Sequence, residues 1–254
     1  MKKFKGMQRL LEIEPQNEVH NKTNLYRQSQ TGLTMVATIG SKAPNLHVST
    51  WVQGKPTNID NEKGNVILVE VFQVNCPGCF LYSLPEVIDM NRKYKDKGLR
   101  VLGLATAFED FDKNNLENLQ NLLSSGEIIG ETYRAFSSTG QLRDNNKLPY
   151  RILFPVAMDM LVKHSGPLTD SKIMDFIEAN IPSFRSYTEK DRDLLIERVK
   201  QYLQSRQYSA KTFEEYALRG TPSTILIDRK GILRGTYFGS NGFLEGAVEE
   251  LIRE

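Results

Sequence analysis

The run Val66-Ile67-Leu68-Val69-Glu70-Val71-Phe72 is followed within four residues by Cys76-Pro77-Gly78-Cys79, and a long amphipathic stretch then extends from Phe80 to about Lys97. A segment apolar on both faces reads as a central, buried strand. The amphipathic stretch reads as a helix, and Gly98-Leu99-Arg100-Val101-Leu102-Gly103-Leu104-Ala105 as the next strand. The result is a strand–helix–strand unit, right-handed by default, with two cysteines at the first strand-to-helix turn. The spacing predicts an α/β fold built around a dithiol redox centre.

Cys76 and Cys79 are the only cysteines in the chain of 254 residues. Pro77 suits the first position of a helix, where its missing N–H costs nothing. Cys76 then falls at the N-cap, where the helix dipole and free N–H groups favour a thiolate. Cys79 lies one turn further on, at the spacing that brings side chains together. This order predicts that Cys76 attacks a target disulfide and that Cys79 resolves the mixed disulfide. A structural disulfide is a poorer reading, because a four-residue loop constrains the unfolded chain little. A zinc half-site is another reading, but zinc takes about four ligands, and His20, His47 and His164 lie far apart in sequence. No metal site is therefore expected.

Charged residues make up 25% of the chain and the formal net charge is +2, so neither nucleic acid nor an anionic membrane is expected as an obligate partner. No apolar run approaches the ~20 residues of a membrane span. Met1-Lys2-Lys3-Phe4-Lys5 resembles the start of a signal peptide, but Arg9, Glu12, Glu14, Pro15 and Glu18 break the stretch where an apolar core would have to lie. The expectation is a cytoplasmic protein, in which a CxxC pair is catalytic or metal-binding rather than structural.

Residues 1–39 read as a polar N-terminal extension, with Met35 a plausible alternative start, and residues 40–254 as one domain. Residues 45–51 alternate like a half-buried strand, and a helix is expected over about 112–124. Residues 150–156 suggest a weaker strand, since Pro155 suits an edge or an end. Helical patterns capped by Thr169 or Asp170 and by Thr188, with a short segment around Phe213 and Tyr216, predict a helical insertion over about 157–211. It is expected between the second and third parallel strands. Its charge runs, such as Lys190-Asp191-Arg192-Asp193, read as solvated faces. Residues 224–227 and 232–238 form a hairpin about Asp228-Arg229-Lys230-Gly231, and a helix over 243–252 closes the chain. Trp51 and Tyr82 read as packing residues.

Three segments together carry a family resemblance: Gly40-Ser41-Lys42-Ala43-Pro44, the Cys76–Cys79 centre, and Arg219-Gly220-Thr221-Pro222-Ser223-Thr224-Ile225-Leu226-Ile227-Asp228. The chain resembles the thioredoxin-fold redoxins, in the branch holding the TlpA/ResA-like thiol–disulfide oxidoreductases and the AhpC/TSA peroxiredoxins. The resemblance covers roughly residues 40–110 and 212–254. It implies a thioredoxin-like fold: a central mixed sheet flanked by helices. It implies a proton-relaying acid beneath the second cysteine, a place Glu70 fills; on residue pattern alone, Glu70 could equally reach solvent at a strand edge. It further implies a cis-proline at Pro222 facing the dithiol, so that Thr221 and Pro222, with Pro77 and Gly78, form the substrate platform. Asn75 stands where relatives often carry Trp, and Pro85 comes about one residue later than in the pattern.

The expected activity is thiol–disulfide exchange with a protein or small-molecule disulfide. No bound cofactor is expected, and electrons would come from a redox partner or a small thiol. Thiol peroxidase and a non-enzymatic binding module are the alternatives. A peroxidatic cysteine requires P-x-x-x-T/S-x-x-C, and here Val69 and Gln73 occupy the proline and hydroxyl positions. Composition and motifs leave the oligomeric state undetermined.

Overall fold

The computed structural model describes residues 36–254 except Ser165, Arg206, Gln207 and Asn241. Nearly all of the expected N-terminal extension, including Met35, lies outside the described residues. The part of it that is described is attached: the Ala37 N–H donates to the Glu215 carbonyl at 2.8 Å.

The described residues divide into two compact units. The larger is built on a six-stranded sheet of strands β1 (Val48–Gln53), β2 (Val66–Phe72), β3 (Leu99–Ala105), β4 (Val156–Asp159), β7 (Ser223–Ile227) and β8 (Leu233–Phe238), in the order β1-β4-β3-β2-β7-β8. β2, β3 and β4 run parallel, while β1, β7 and β8 pair antiparallel. The mixed sheet is the one expected. Every residue of β2 is buried, because the strand is central and both its faces are covered.

The alternation of β2 sorts two cores. Val66, Leu68 and Phe72 pack with Leu84, Val87 and Met90 of helix α1 (Leu84–Tyr94), and with Leu244, Val248 and Leu251 of the C-terminal helix (Leu244–Arg253). Ile67, Val69 and Val71 point the other way, into a cluster with Leu104, Phe213, Tyr216 and Ile225. Glu70, an even-numbered position, therefore lies on the α1 face.

Two expectations around β4 are corrected. The strand expected over 150–156 begins only at Val156, and residues 157–159 continue it rather than opening a helical insertion. Pro155 has no N–H to give the ladder, so regular pairing starts after it, although its carbonyl accepts from Gly103 N at 2.8 Å. Short apolar runs carry too little periodicity to separate strand from helix. β4 is also the third parallel strand, so the inserted helices follow it rather than precede it.

Helix α2 (Leu116–Ser125) starts four residues later than expected, capped by Asn115, whose side chain accepts from the Asn118 N–H. Helix α3 (Gly130–Ser138) is not anticipated at all. Its N-cap is Ile129, which supplies no capping oxygen, so the usual start signal is absent. The chain leaves the larger unit through β5 (Leu161–Lys163) and re-enters through β6 (Tyr208–Ala210), which pair as a separate two-stranded sheet. β6 leads into the short helix α6 (Lys211–Glu215), and the C-terminal helix Leu244–Arg253 is α7.

The smaller unit, residues 163–207, contains α4 (Asp170–Asn180) and α5 (Glu189–Ser205). Thr169 caps α4 through the Lys172 N–H, and Thr188 Oγ1 accepts from Asp191 N at 3.3 Å, as expected from sequence. Ile173, Ile177, Ile181, Phe184, Leu195 and Val199 form an apolar cluster of its own. Among the described residues, no helix is long and apolar enough to cross a membrane.

Candidate active site

β2 ends at Phe72, and the chain turns through Gln73, Val74 and Asn75 before Cys76. Helical geometry starts at Pro77, the position where a missing N–H is harmless. Cys76 and Cys79 are paired as a disulfide, with Cα atoms 5.4 Å apart. The Cys79 N–H is shared between the Cys76 carbonyl at 3.1 Å and Cys76 Sγ at 3.3 Å, so an amide of the first helical turn is directed at that sulfur. Cys76 is half-buried and Cys79 wholly buried, as their positions at and inside the helix start require.

The loop before β7 faces this turn. The Thr221–Pro222 peptide bond is cis. The Thr221 carbonyl oxygen lies 3.5 Å from Cys76 Sγ. A Cβ placed on Gly78 would sit 3.8 Å from Pro222 Cδ, so the two residues face each other at van der Waals range. The loop is braced by Ser223 Oγ donating to the Gly220 carbonyl at 2.8 Å and by Gly239 N donating to the Pro222 carbonyl at 2.9 Å. Cys76, Pro77, Gly78, Thr221 and Pro222 thus meet at the end of β2, about 145 residues apart in sequence.

Glu70 is fully buried, so its carboxyl does not reach solvent at a strand edge. Ser83, one helical turn beyond Cys79, donates to Glu70 Oε1 at 2.5 Å, and Thr224 of β7 donates to Oε2 at 2.9 Å. Burial pushes the Glu70 pKa up to about 8, against the opposing pull of these two hydrogen bonds and with a small further push from Glu86. A carboxyl group with a pKa in that range can take up and give back a proton near neutral pH, the range that suits a general acid–base. Sequence reasoning missed Ser83 and Thr224. The only signal for Ser83 is a small hydroxyl four residues after Cys79, on the same helical face.

Two departures from the family pattern have structural counterparts. Asn75 is buried and joins three segments. Its amide nitrogen donates to Asp110 at 2.9 Å, its carbonyl oxygen accepts from the Glu131 N–H at 2.7 Å, and its own N–H donates to Asn114 at 2.8 Å. It thereby supplies the capping oxygen that Ile129 withholds from α3. Gly130 takes a φ of +56°, and a Cβ there would collide with Asn75 Oδ1. The late Pro85 coincides with a π-turn, Cys79–Ser83, in which the Leu84 N–H donates to the Cys79 carbonyl. A π-turn absorbs one extra residue in a helix, which is the offset seen in sequence.

Gln73, standing where a peroxidase would need a hydroxyl, is buried with its Oε1 taken by Phe108 N at 3.1 Å and Asn114 Nδ2 at 3.3 Å. Tyr82, expected to pack, is 63% exposed. Among the described residues, no group of three His, Cys, Asp or Glu side chains converges to hold a metal ion.

A βαβ unit carrying a CxxC pair, a cis-proline opposite it and a terminal antiparallel hairpin define a thioredoxin-like fold with a dithiol centre. The chain is similar to a thiol–disulfide isomerase from Corynebacterium glutamicum at 26% identity and a TM-score of 0.51, covering 85% of this chain and 97% of that one. A thioredoxin-like superfamily protein matches with 23% identity and a TM-score of 0.51 over 84% of this chain and 97% of its own, which supports the fold. Over 87 residues the chain is 31% identical to Protein DipZ of Mycobacterium bovis and of Mycobacterium tuberculosis, or 32% of this chain. The match spans only 12% of the length of those curated relatives. No family model matches the chain.

Proposed function

We propose that the protein is a thiol–disulfide oxidoreductase working by dithiol exchange with a protein or small-molecule disulfide. One arrangement carries this reading: a half-buried Cys76 at a helix start, paired with a buried Cys79, against the cis-Pro222 loop. In the reductive direction, the Cys76 thiolate attacks one sulfur of the substrate disulfide and expels the other as a thiolate. The Cys79 thiolate then attacks Cys76 Sγ, forming the Cys76–Cys79 disulfide and releasing the second substrate thiol. The protein loses two electrons and the substrate gains them.

Glu70 takes the proton from Cys79 as it becomes the nucleophile and returns it in the reverse direction. The Thr221 main chain and Pro222 ring, with Pro77 and Gly78 opposite, seat the substrate segment. A separate redox protein or small thiol regenerates the dithiol. The cytoplasmic compartment expected from sequence belongs to the same proposal, and cell fractionation tests it.

The test is a mixed-disulfide trap. Cys79→Ser should capture a disulfide substrate covalently, Cys76→Ser should capture none, and both should lose insulin reduction. Capture by neither variant, with no measurable turnover by the wild type, would leave a binding module as the better reading.

A further inference from the structure

The π-turn leaves one carbonyl short of a main-chain donor. Leu84 and Pro85 stand at the α-helical and π-helical spacings from the Phe80 carbonyl. Leu84 gives its N–H to Cys79. Pro85 has none. A buried carbonyl without a partner costs free energy comparable to a lost hydrogen bond. The donor comes from outside the helix: Tyr150 Oη donates to the Phe80 carbonyl at 2.5 Å. Tyr150 stands in the connection between α3 and β4, where sequence pattern suggested a strand. Its ring packs against the same core as Cys79, Phe80 and Leu84.

The bond closes a chain of contacts. Tyr150 holds the residue after Cys79; three residues further, Ser83 reaches Glu70 at 2.5 Å; Glu70 in turn binds Thr224 of β7 at 2.9 Å. Regular α-helical geometry would give Leu84 N–H to Phe80 and rotate the turn relative to β2. That rotation would shift Ser83 off Glu70 and re-aim Cys79. Burial pushes the Tyr150 pKa up, so the hydroxyl remains a donor at any pH where exchange operates.

We propose that Tyr150 is a positioning residue for the dithiol, holding the π-turn in the geometry that aims Cys79 and seats Ser83 on Glu70. This rests on the exchange reactions assigned above to Cys76, Cys79 and Glu70. The groups facing Glu70 are Ser83 on the π-turn, Thr224 on β7 and Glu86 on α1.

The experiment compares wild type, Tyr150→Phe, Glu70→Gln and Tyr150→Phe/Pro85→Ala in the full chain. The readouts are thermal stability and the rate at which Cys79 resolves a mixed disulfide across pH 6–9. Tyr150→Phe should keep the fold and slow resolution by about tenfold, the scale of one hydrogen bond to a buried partner. Its pH midpoint should move upward, because Ser83 no longer favours the Glu70 carboxylate. Pro85→Ala should rescue the rate, since residue 85 then offers the Phe80 carbonyl an N–H. Lowered stability with unchanged rate and midpoint overturns the proposal and leaves Tyr150 a packing residue. Should Tyr150→Phe fail to fold, recovery of fold and rate on adding Pro85→Ala supports it, and failure to recover overturns it. If Glu70→Gln slows resolution and Tyr150→Phe does not, only the Tyr150 proposal fails. A wild type without exchange activity overturns both.

Discussion

Glu70 is a carboxyl group held wholly inside the sheet, with the Ser83 and Thr224 hydroxyls as hydrogen-bond partners and, among the described residues, no cation beside it. Its pKa of about 8 against an ordinary value of 4.5 couples it to folding. Below about pH 4.5 folded and unfolded chains both carry the proton, and the contribution is complete. Between there and pH 8 the folded state keeps a proton that the unfolded chain has lost, so stability falls as pH rises. Glu70→Gln should remove that fall and be more stable than wild type by roughly 1–4 kcal/mol above pH 8, with little difference near pH 5. Urea midpoints at the two pH values check this; equal differences at both would detach the Glu70 proton from folding. The same variant should slow disulfide release without unfolding the protein. At Cys76 and Cys79 the expectation concerns reactivity: in the reduced protein near neutral pH, iodoacetamide should label Cys76 well before Cys79. The reverse order would exchange their roles. The position of Glu70 was readable as the one charge in an apolar strand. Its partner Ser83 was not, because the contact joins residues that only the packing of helix on sheet brings together.

The elements around the dithiol are joined by polar side chains rather than by apolar packing alone. Asn75 caps α3 across 56 residues of sequence, and this needs Gly130 in its left-handed conformation. Gly130→Ala should destabilise by roughly 2–4 kcal/mol, combining the left-handed penalty for a residue with a Cβ and the clash with Asn75. Equilibrium unfolding measures it, and a loss under about 0.5 kcal/mol would mean the loop simply shifts aside. Helix α3 escaped the sequence reading for the same reason that Asn75 matters: its cap is supplied from elsewhere in the chain. The β2, α1, β3, β7 and β8 segments were readable because each carries its own periodicity and its own turn residues.

At the scale of the molecule, residues 163–207 cluster as a unit with their own apolar core, between two strands that pair with each other. Loop-closure entropy grows only logarithmically with length, so replacing residues 163–207 by a short Gly/Ser linker should leave the larger unit folded. We expect the variant to reduce a small disulfide at the wild-type rate and to differ from wild type on protein disulfides. Loss of the fold would make these helices part of the core, and unchanged behaviour toward both substrates would deny them any part in partner choice.

By itself, the sequence determined the central strand, the CxxC pair at a helix start and the terminal hairpin. These are local: strand period, turn residues and cysteine spacing are written within a dozen residues of one another. Tertiary structure alone decided that 156–159 joins the sheet, that Asn75 caps α3, and that a hydroxyl from Tyr150 answers the carbonyl left open before Pro85. Each of these depends on pairing a main-chain or buried polar group with a partner far away in the chain. Such partners leave no period in the sequence, and only packing brings them within hydrogen-bonding distance.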